Sequence, residues 1–134
     1  NQSGHYVTVT SLMGKFGSPY RSGYCAAKHA LHGYFDVMRM EHEKDGVAVT
    51  LVCPGFVQTN VAINALTADG SPQVKNSETT ANGMLLADFI PKMVRAMEQK
   101  KFEVYIGKKE VLGIYLKRFL PKFLHTVVMK SKVN

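Results

Sequence analysis

Tyr24 and Lys28 lie four positions apart in the stretch SGYCAAKHALHGY. Both carry a group that could take part in proton transfer with a substrate. Positions i and i+4 of a helix share a face, so the phenol and the ammonium would point the same way. An ammonium beside a phenol favours the phenolate, which a tyrosine acting as acid or base requires. Helices also carry such pairs by chance, so the spacing alone assigns no function.

The elements around this pair are predicted to alternate between strand and helix. β-branched and aromatic residues predict the strands, and apolar residues at helical spacing predict the helices. In chain order the predicted elements are strand 5–11, helix 24–44, strand 47–55, helix 86–100 and strand 102–107. Glycine and proline make 12–23 a loop. Residues 56–83 are predicted to be a long functional loop with a short helix near 61–66.

This alternation is typical of an α/β fold, in which helices cover a parallel sheet. Ligands of such sheets bind beyond the carboxyl ends of the strands. Ser11 ends the first predicted strand, Pro54 and Gly55 end the second, and Tyr24 begins the helix between them. We therefore expect these residues to meet at the ligand-binding edge.

The segments VTVTSLMGKFGSPYRSGYCAAKHALHGYFD and LVCPGFVQT together resemble the short-chain dehydrogenase/reductase family. The family places a serine at a strand end, Tyr-x-x-x-Lys thirteen residues later, and Pro-Gly-x-x-x-Thr after the next strand. Ser11, Tyr24 and Lys28 match the first two motifs, and Pro54 to Thr59 match the third. The resemblance covers residues 1–107 and implies the carboxyl-terminal part of a Rossmann-like, doubly wound catalytic domain. TNVAINALTADGS resembles the member 7 branch of the family more narrowly.

The resemblance implies an oxidoreductase that uses NAD or NADP to interconvert a carbonyl and a secondary alcohol. Tyr24 would be the acid or base, Lys28 would favour its phenolate and hold the nicotinamide ribose, and Ser11 would bind the substrate oxygen. The resemblance also implies that Tyr24, besides its catalytic role, is one of the cofactor-binding residues.

The third motif would bind the nicotinamide carboxamide. Pro54 and Gly55 shape the loop, and the Val57 backbone and the Thr59 hydroxyl would be the binding groups. The protein supplies position and electrostatics, while the cofactor carries the hydride.

Several of these assignments have rivals in the sequence. Thr10 offers a hydroxyl next to Ser11, and Tyr20 and Tyr34 are alternative tyrosines without a lysine four residues on. Thr59 could instead cap the short helix predicted near 61–66. The two cysteines and five histidines show no metal-binding spacing, so no metal is predicted.

The family's glycine-rich pyrophosphate loop and Asn-Asn-Ala-Gly motif do not occur in this sequence. We therefore expect a fragment that lacks the dinucleotide-binding half and is inactive alone. Its first strand would present an unpaired edge. A non-catalytic relative that only binds, or that associates with membranes, is the alternative.

The net charge of +7 is concentrated in the last third of the chain. Residues 1–91 carry six Lys/Arg and seven Asp/Glu, whereas residues 92–134 carry eleven and three. The tail, residues 108–134, is apolar with interspersed cations, and Pro121 should kink or end a helix there. It could lie on an anionic membrane surface or pack over a pocket or subunit interface.

Basic residues are not interleaved with aromatic residues in any predicted strand, so nucleic-acid binding is not expected. The resemblance implies a homodimer or tetramer, with the helix predicted at 24–44 building the interface. Cys25 and Cys53 fit no metal-binding or Cys-x-x-Cys spacing and are interpreted as reduced packing residues, which predicts a cytoplasmic protein. Peripheral membrane contact is the alternative for its tail.

Overall fold

A computed structural model describes residues 3–61, 63–66, 69–71 and 78–131. Three strands, Gly4–Val9 (β1), Val47–Pro54 (β2) and Glu103–Ile106 (β3), form one parallel sheet in the order β1-β2-β3. The pairing runs from Gly4 opposite Val47 to Val9 opposite Val52, and from Leu51 opposite Glu103 to Pro54 opposite Ile106. The predicted parallel α/β sheet is confirmed.

Helices connect these strands. Ser22–Glu41 (α1) links β1 to β2, and Leu86–Glu98 (α3) links β2 to β3 after a short helix, Glu78–Ala81 (α2). The tail forms Leu112–Phe119 (α4) and Pro121–Lys130 (α5). Single 3-10 turns occupy Leu12–Gly14, Glu43–Asp45 and Lys109–Val111.

The central strand β2 forms the middle of the core because it has a partner strand on each side. Its residues from Val49 to Cys53 are each at most 2% exposed. A continuous apolar run of this kind is expected of a strand covered on both faces. Val52 packs with Met84, Phe89 and Ile106, so the loop before α3 shares one core with the sheet.

Several predicted boundaries were wrong by a few residues. α1 begins at Ser22 rather than Tyr24 and ends at Glu41, with a separate 3-10 turn reaching Asp45.

The helix predicted near 61–66 was also wrong for the described residues there. Asn64 donates to the Asn60 carbonyl at 2.9 Å, but Val61, Ile63 and Asn64 form turns and Leu66 lies in a β-bridge. Val61 and Leu66 are 70% and 72% exposed, so these two side chains supply little of the apolar burial that stabilises a short helix.

Pro121 acts as predicted, because α4 ends just before it and α5 begins with it. Proline suits the first position of a helix, where no backbone donor is needed. β1 pairs only with β2 among the described residues, so its other edge has no partner strand there.

Arg39 fixes the end of α1 that lies far from the ligand-binding edge. Its guanidinium donates to the Phe102 carbonyl at 2.9 Å and lies 4.6 Å from the Phe102 ring centroid. It also donates to Asp36 at 2.6 Å and to the Val49 carbonyl. These contacts tie the helix to the starts of β2 and β3, which sets the position of Tyr24 at its other end.

Candidate active site

Tyr24 and Lys28 face each other on the first turns of α1, as their spacing predicts. The Lys28 ammonium lies 5.7 Å from the centroid of the Tyr24 ring. It also donates to the carbonyl of Val9, the last residue of β1, at 3.2 Å. Tyr24 is 44% exposed. The pair therefore lies at the carboxyl end of β1.

Ser11 and Thr10 place their hydroxyls in different surroundings. Ser11 caps the 3-10 turn Leu12–Gly14, and its Oγ accepts the Met13 N–H at 3.1 Å. The side chain is only partly buried, and its hydroxyl proton donates to no acceptor among the described residues. Thr10 is 3% exposed and lies 3.0 Å from His32 Nε2. Only Ser11 thus presents a hydroxyl toward solvent.

The rival tyrosines lie in different environments from Tyr24. Tyr20 is 99% exposed in the loop before α1, in the left-handed region at φ 61°. Tyr34 packs edge-on against Phe35, with ring centroids 5.1 Å apart. Among the described residues, Lys28 is paired by a cation–π contact with Tyr24 and with neither rival.

Residues 54–59, which we call the motif loop, continue β2 past the edge of the sheet. Gly55 donates to the Ile106 carbonyl at 2.8 Å, which extends the pairing with β3. Val57 then forms an isolated parallel bridge with Met84. In that bridge Met84 donates to the Phe56 carbonyl at 2.8 Å and Gln58 donates to the Met84 carbonyl at 2.9 Å.

This bridge decides where the Val57 backbone points. The flanking residues make the hydrogen bonds to Met84, so the N–H and C=O of Val57 itself face the opposite side. No acceptor in the described part of the chain takes the Val57 N–H. Within the described residues, the Val57 N–H is therefore an unpaired donor beside the end of β2.

Thr59 closes the motif loop with a local turn rather than a helix cap. Its Oγ1 accepts the Val61 N–H at 3.4 Å. The side chain borders a cleft of about 340 Å³ whose other lining residues are Gln58, Asn60 and Ala81. The hydroxyl thus combines a turn contact with access to an open cleft.

A buried polar network lies directly behind Ser11, and nothing in the sequence spacing indicated it. His32, Cys53 and Glu103 come from α1, β2 and β3, and one ligand-type atom from each lies within 4.8 Å of the others. The Cys53 thiol donates to Glu103 at 3.3 Å, Thr10 donates to Cys53 at 3.4 Å, and Lys15 pairs with Glu103 at 2.7 Å. Residues so far apart in sequence leave no local signal.

Two groups of this network, the Cys53 thiol and the His32 ring, are held in their neutral forms. Burial raises the pKa of the Cys53 thiol to about 12. Burial and the Lys15 ammonium lower the pKa of His32 below 6.5, against smaller opposing effects of Glu103 and Asp36. The 3.4 Å approach of His32 Nδ1 to Glu103 is therefore not an ion pair at neutral pH. Lys15 supplies the charge that Glu103 requires, so we interpret the network as packing that supports the Ser11 turn.

No helix in the described part of the chain is both long and apolar enough to cross a membrane.

The sequence matches the family model described as short chain dehydrogenase over residues 1–69. It is 40% identical over 133 residues to Dehydrogenase/reductase SDR family member 7B of Danio rerio, which covers 98% of this chain and 43% of that relative. The chain therefore spans less than half the length of this curated relative.

Solved structures with the same fold share little sequence with the chain. A short chain dehydrogenase from Burkholderia cenocepacia in complex with NADP superposes with a TM-score of 0.73 at 19% identity, covering 96% of this chain and 48% of that one. A short chain dehydrogenase/reductase from Burkholderia phymatum in complex with NAD gives a TM-score of 0.69 at 18% identity, covering 90% and 49%. At this identity the likeness concerns the fold.

Proposed function

Because the chain belongs to the short-chain dehydrogenase family, we propose that it forms the catalytic half of an NAD(P)-dependent oxidoreductase. Its reaction would interconvert a small-molecule carbonyl and a secondary alcohol. One observation carries the proposal: Lys28 contacts both the Tyr24 ring and the end of β1, which joins the proton-transfer pair to the edge that presents Ser11. The alternative, a relative that only binds, would not need this arrangement.

The chain's own residues have separable tasks in this reaction. Tyr24 gives a proton to the substrate oxygen during reduction and removes it during oxidation. The Lys28 ammonium stabilises the phenolate that remains after the proton has left. Ser11 donates its hydroxyl proton in a hydrogen bond to the same oxygen, where negative charge develops.

The residues present also fit a nicotinamide dinucleotide. The free Val57 N–H and the accessible Thr59 hydroxyl suit a carboxamide, and the ammonium of the half-buried Lys28 suits ribose hydroxyls. When bound, the dinucleotide supplies or accepts the hydride. The printed sequence contains no glycine-rich loop, so we assign pyrophosphate binding to residues outside these 134.

A comparison of two chains tests this assignment. By the full-length protein we mean a chain extended upstream to include the dinucleotide-binding half. It should bind NADH or NADPH and change the nicotinamide absorbance with a ketone or secondary alcohol from a substrate panel. The 134 residues alone should neither bind the dinucleotide tightly nor turn over. Turnover by the 134 residues alone would contradict the assignment of pyrophosphate binding to residues outside them. A full-length protein that binds no dinucleotide would contradict the proposed function.

We further propose that the tail contacts an anionic membrane surface. Exposed apolar side chains recur at helical spacing along α4 and α5, and they include Leu112, Tyr115, Phe119, Phe123 and Val127. Six Lys/Arg and one acidic residue lie between positions 108 and 131, so the charge complements anionic lipid. The competing interpretation is packing against other protein.

Vesicle binding separates these interpretations. The full-length protein should sediment with vesicles that contain phosphatidylserine, less at high salt, and not with neutral vesicles. A double substitution, Phe119→Ser with Phe123→Ser, should reduce binding several-fold. Leu66→Ser, at an equally exposed apolar residue outside the tail, is the matched control. Unchanged binding in the double variant would exclude this surface.

The outer face of α1 supports a proposal of homodimer or tetramer formation. Tyr34, Val37 and Met40 are 66%, 47% and 68% exposed on this helix. Apolar side chains at helical spacing suit a helix-to-helix contact between subunits. Sedimentation velocity should show an oligomer that Tyr34→Ser with Met40→Ser dissociates, and an unchanged oligomer would place the interface elsewhere.

A further inference from the structure

Glu110 connects the tail of the chain to the motif loop. It lies in the 3-10 turn Lys109–Val111, directly after β3, and its Oε1 accepts the Phe56 N–H at 3.2 Å. The two residues are 54 positions apart in sequence. A hydrogen bond from a backbone amide to a carboxylate is stronger than one between neutral groups.

The space for this carboxylate is provided by two glycines. A Cβ on Gly55 would collide with Glu110 Oε1, and one on Gly107 would lie 2.9 Å from the same atom. Gly55 belongs to the motif loop, and Gly107 follows β3. The absence of side chains at both positions lets the carboxylate reach the backbone, so the glycines and Glu110 form one packing unit.

Phe56 is held from both sides as a result. Its N–H donates to Glu110, and its carbonyl accepts the Met84 N–H. Lys108, two residues before Glu110, donates to the carbonyls of Asn82 and Gly83 at 2.9 Å each. The turn after β3 therefore fixes both strands of the bridge that sets the direction of the Val57 backbone.

We propose that Glu110 is a positioning residue for nicotinamide binding and acts through Phe56 on the Val57 N–H. This inference rests on the function proposed above, in which Val57 binds the carboxamide. Without the Glu110 carboxylate, Phe56 loses its acceptor, and beyond Gly55 the motif loop is held from the Met84 side only. The Val57 amide would then sample other directions, and part of the cofactor affinity would be lost.

Substitutions at Glu110 test this in the full-length protein. Glu110→Ala removes the acceptor and should raise the Kd for NADH or NADPH, measured by nicotinamide fluorescence, on the order of tenfold. Glu110→Gln keeps an acceptor of the same size and should restore most of the affinity. Glu98→Ala, on the exposed end of α3, is the matched control and should leave the Kd unchanged.

Backbone hydrogen exchange supplies a second measurement that a general loss of stability would not reproduce. In Glu110→Ala, exchange should accelerate across the motif loop while β1 and the core of β2 keep their protection. If the wild type binds the dinucleotide and Glu110→Ala binds it equally well, with unchanged exchange, the positioning role is wrong. If the wild type binds no dinucleotide, the proposed function fails and this inference fails with it.

Discussion

Thr10 and Ser11 are adjacent in sequence, yet their hydroxyl groups have different partners. Thr10 Oγ1 lies 3.0 Å from His32 Nε2 in the interior, whereas Ser11 Oγ accepts the Met13 N–H at 3.1 Å at the edge of the sheet. The first hydroxyl is 22 residues from its partner in sequence and the second only two. The difference supports our proposal of a structural role for Thr10 and a catalytic role for Ser11.

Ser11→Ala should abolish most of the turnover and lower the free energy of unfolding only by the loss of the cap to Met13, about 1 kcal/mol. The Ser11 hydroxyl would stabilise charge on the substrate oxygen, and removal of such a donor costs on the order of 100-fold to 1,000-fold in kcat. Steady-state kinetics of the full-length protein would measure the loss, with the denaturation midpoint as the control. A variant with full kcat would remove Ser11 from the mechanism.

Thr10→Val should show the opposite pattern. The substitution keeps the shape of the side chain but leaves the buried His32 Nε2 without the Thr10 hydroxyl, so the free energy of unfolding should fall by about 1–3 kcal/mol. Urea denaturation would measure this change. Stability equal to that of the wild type would mean that the buried network contributes little.

Cys53 should resist alkylation in the folded protein. Its side chain is 0% exposed, and burial raises the pKa of the thiol to about 12, so little thiolate exists near neutral pH. Iodoacetamide labelling with peptide mapping should find Cys53 modified only after denaturation. Rapid labelling under native conditions would show that the network opens or that the thiol is ionised.

The stability of the protein should fall in acid partly through His32. Burial lowers the pKa of His32 in the folded state, so the unfolded chain binds a proton more readily at this site. The stability that the neutral His32 ring contributes is fully present above about 6.5, the pKa of a histidine in the unfolded chain. It is lost as the pH falls below that value.

His32→Gln should therefore reduce the acid dependence of the denaturation midpoint between about pH 7.5 and about pH 5. The variant starts from a lower stability, so the slope with pH is the informative quantity. A slope equal to that of the wild type would show that His32 does not carry this dependence.

The alternation of strands and helices was predictable because each long element has its own periodicity. β2 is apolar except for Thr50, and α1 carries an apolar stripe that the turn KDG at 44–46 brings to an end. The order of Ser11, Tyr24 and Lys28 along these elements was enough to place them at one edge.

Short elements and distant contacts could not be predicted in this way. α2 has only four residues, which is too few to show a period, and the described residues of the helix predicted at 61–66 include no fully buried apolar side chain. The meeting of His32 with Glu103 and of Glu110 with Phe56 depends on how the strands are ordered in the sheet. No spacing along the chain reports such contacts.

Kinetics of Tyr24→Phe in the full-length protein test the central claim most directly. The substitution removes only the phenolic hydroxyl and keeps the ring that Lys28 contacts. We predict dinucleotide binding close to that of the wild type and a loss of kcat of at least about 100-fold, because the proton donor is gone. Equal turnover by Tyr24→Phe and the wild type would contradict the account.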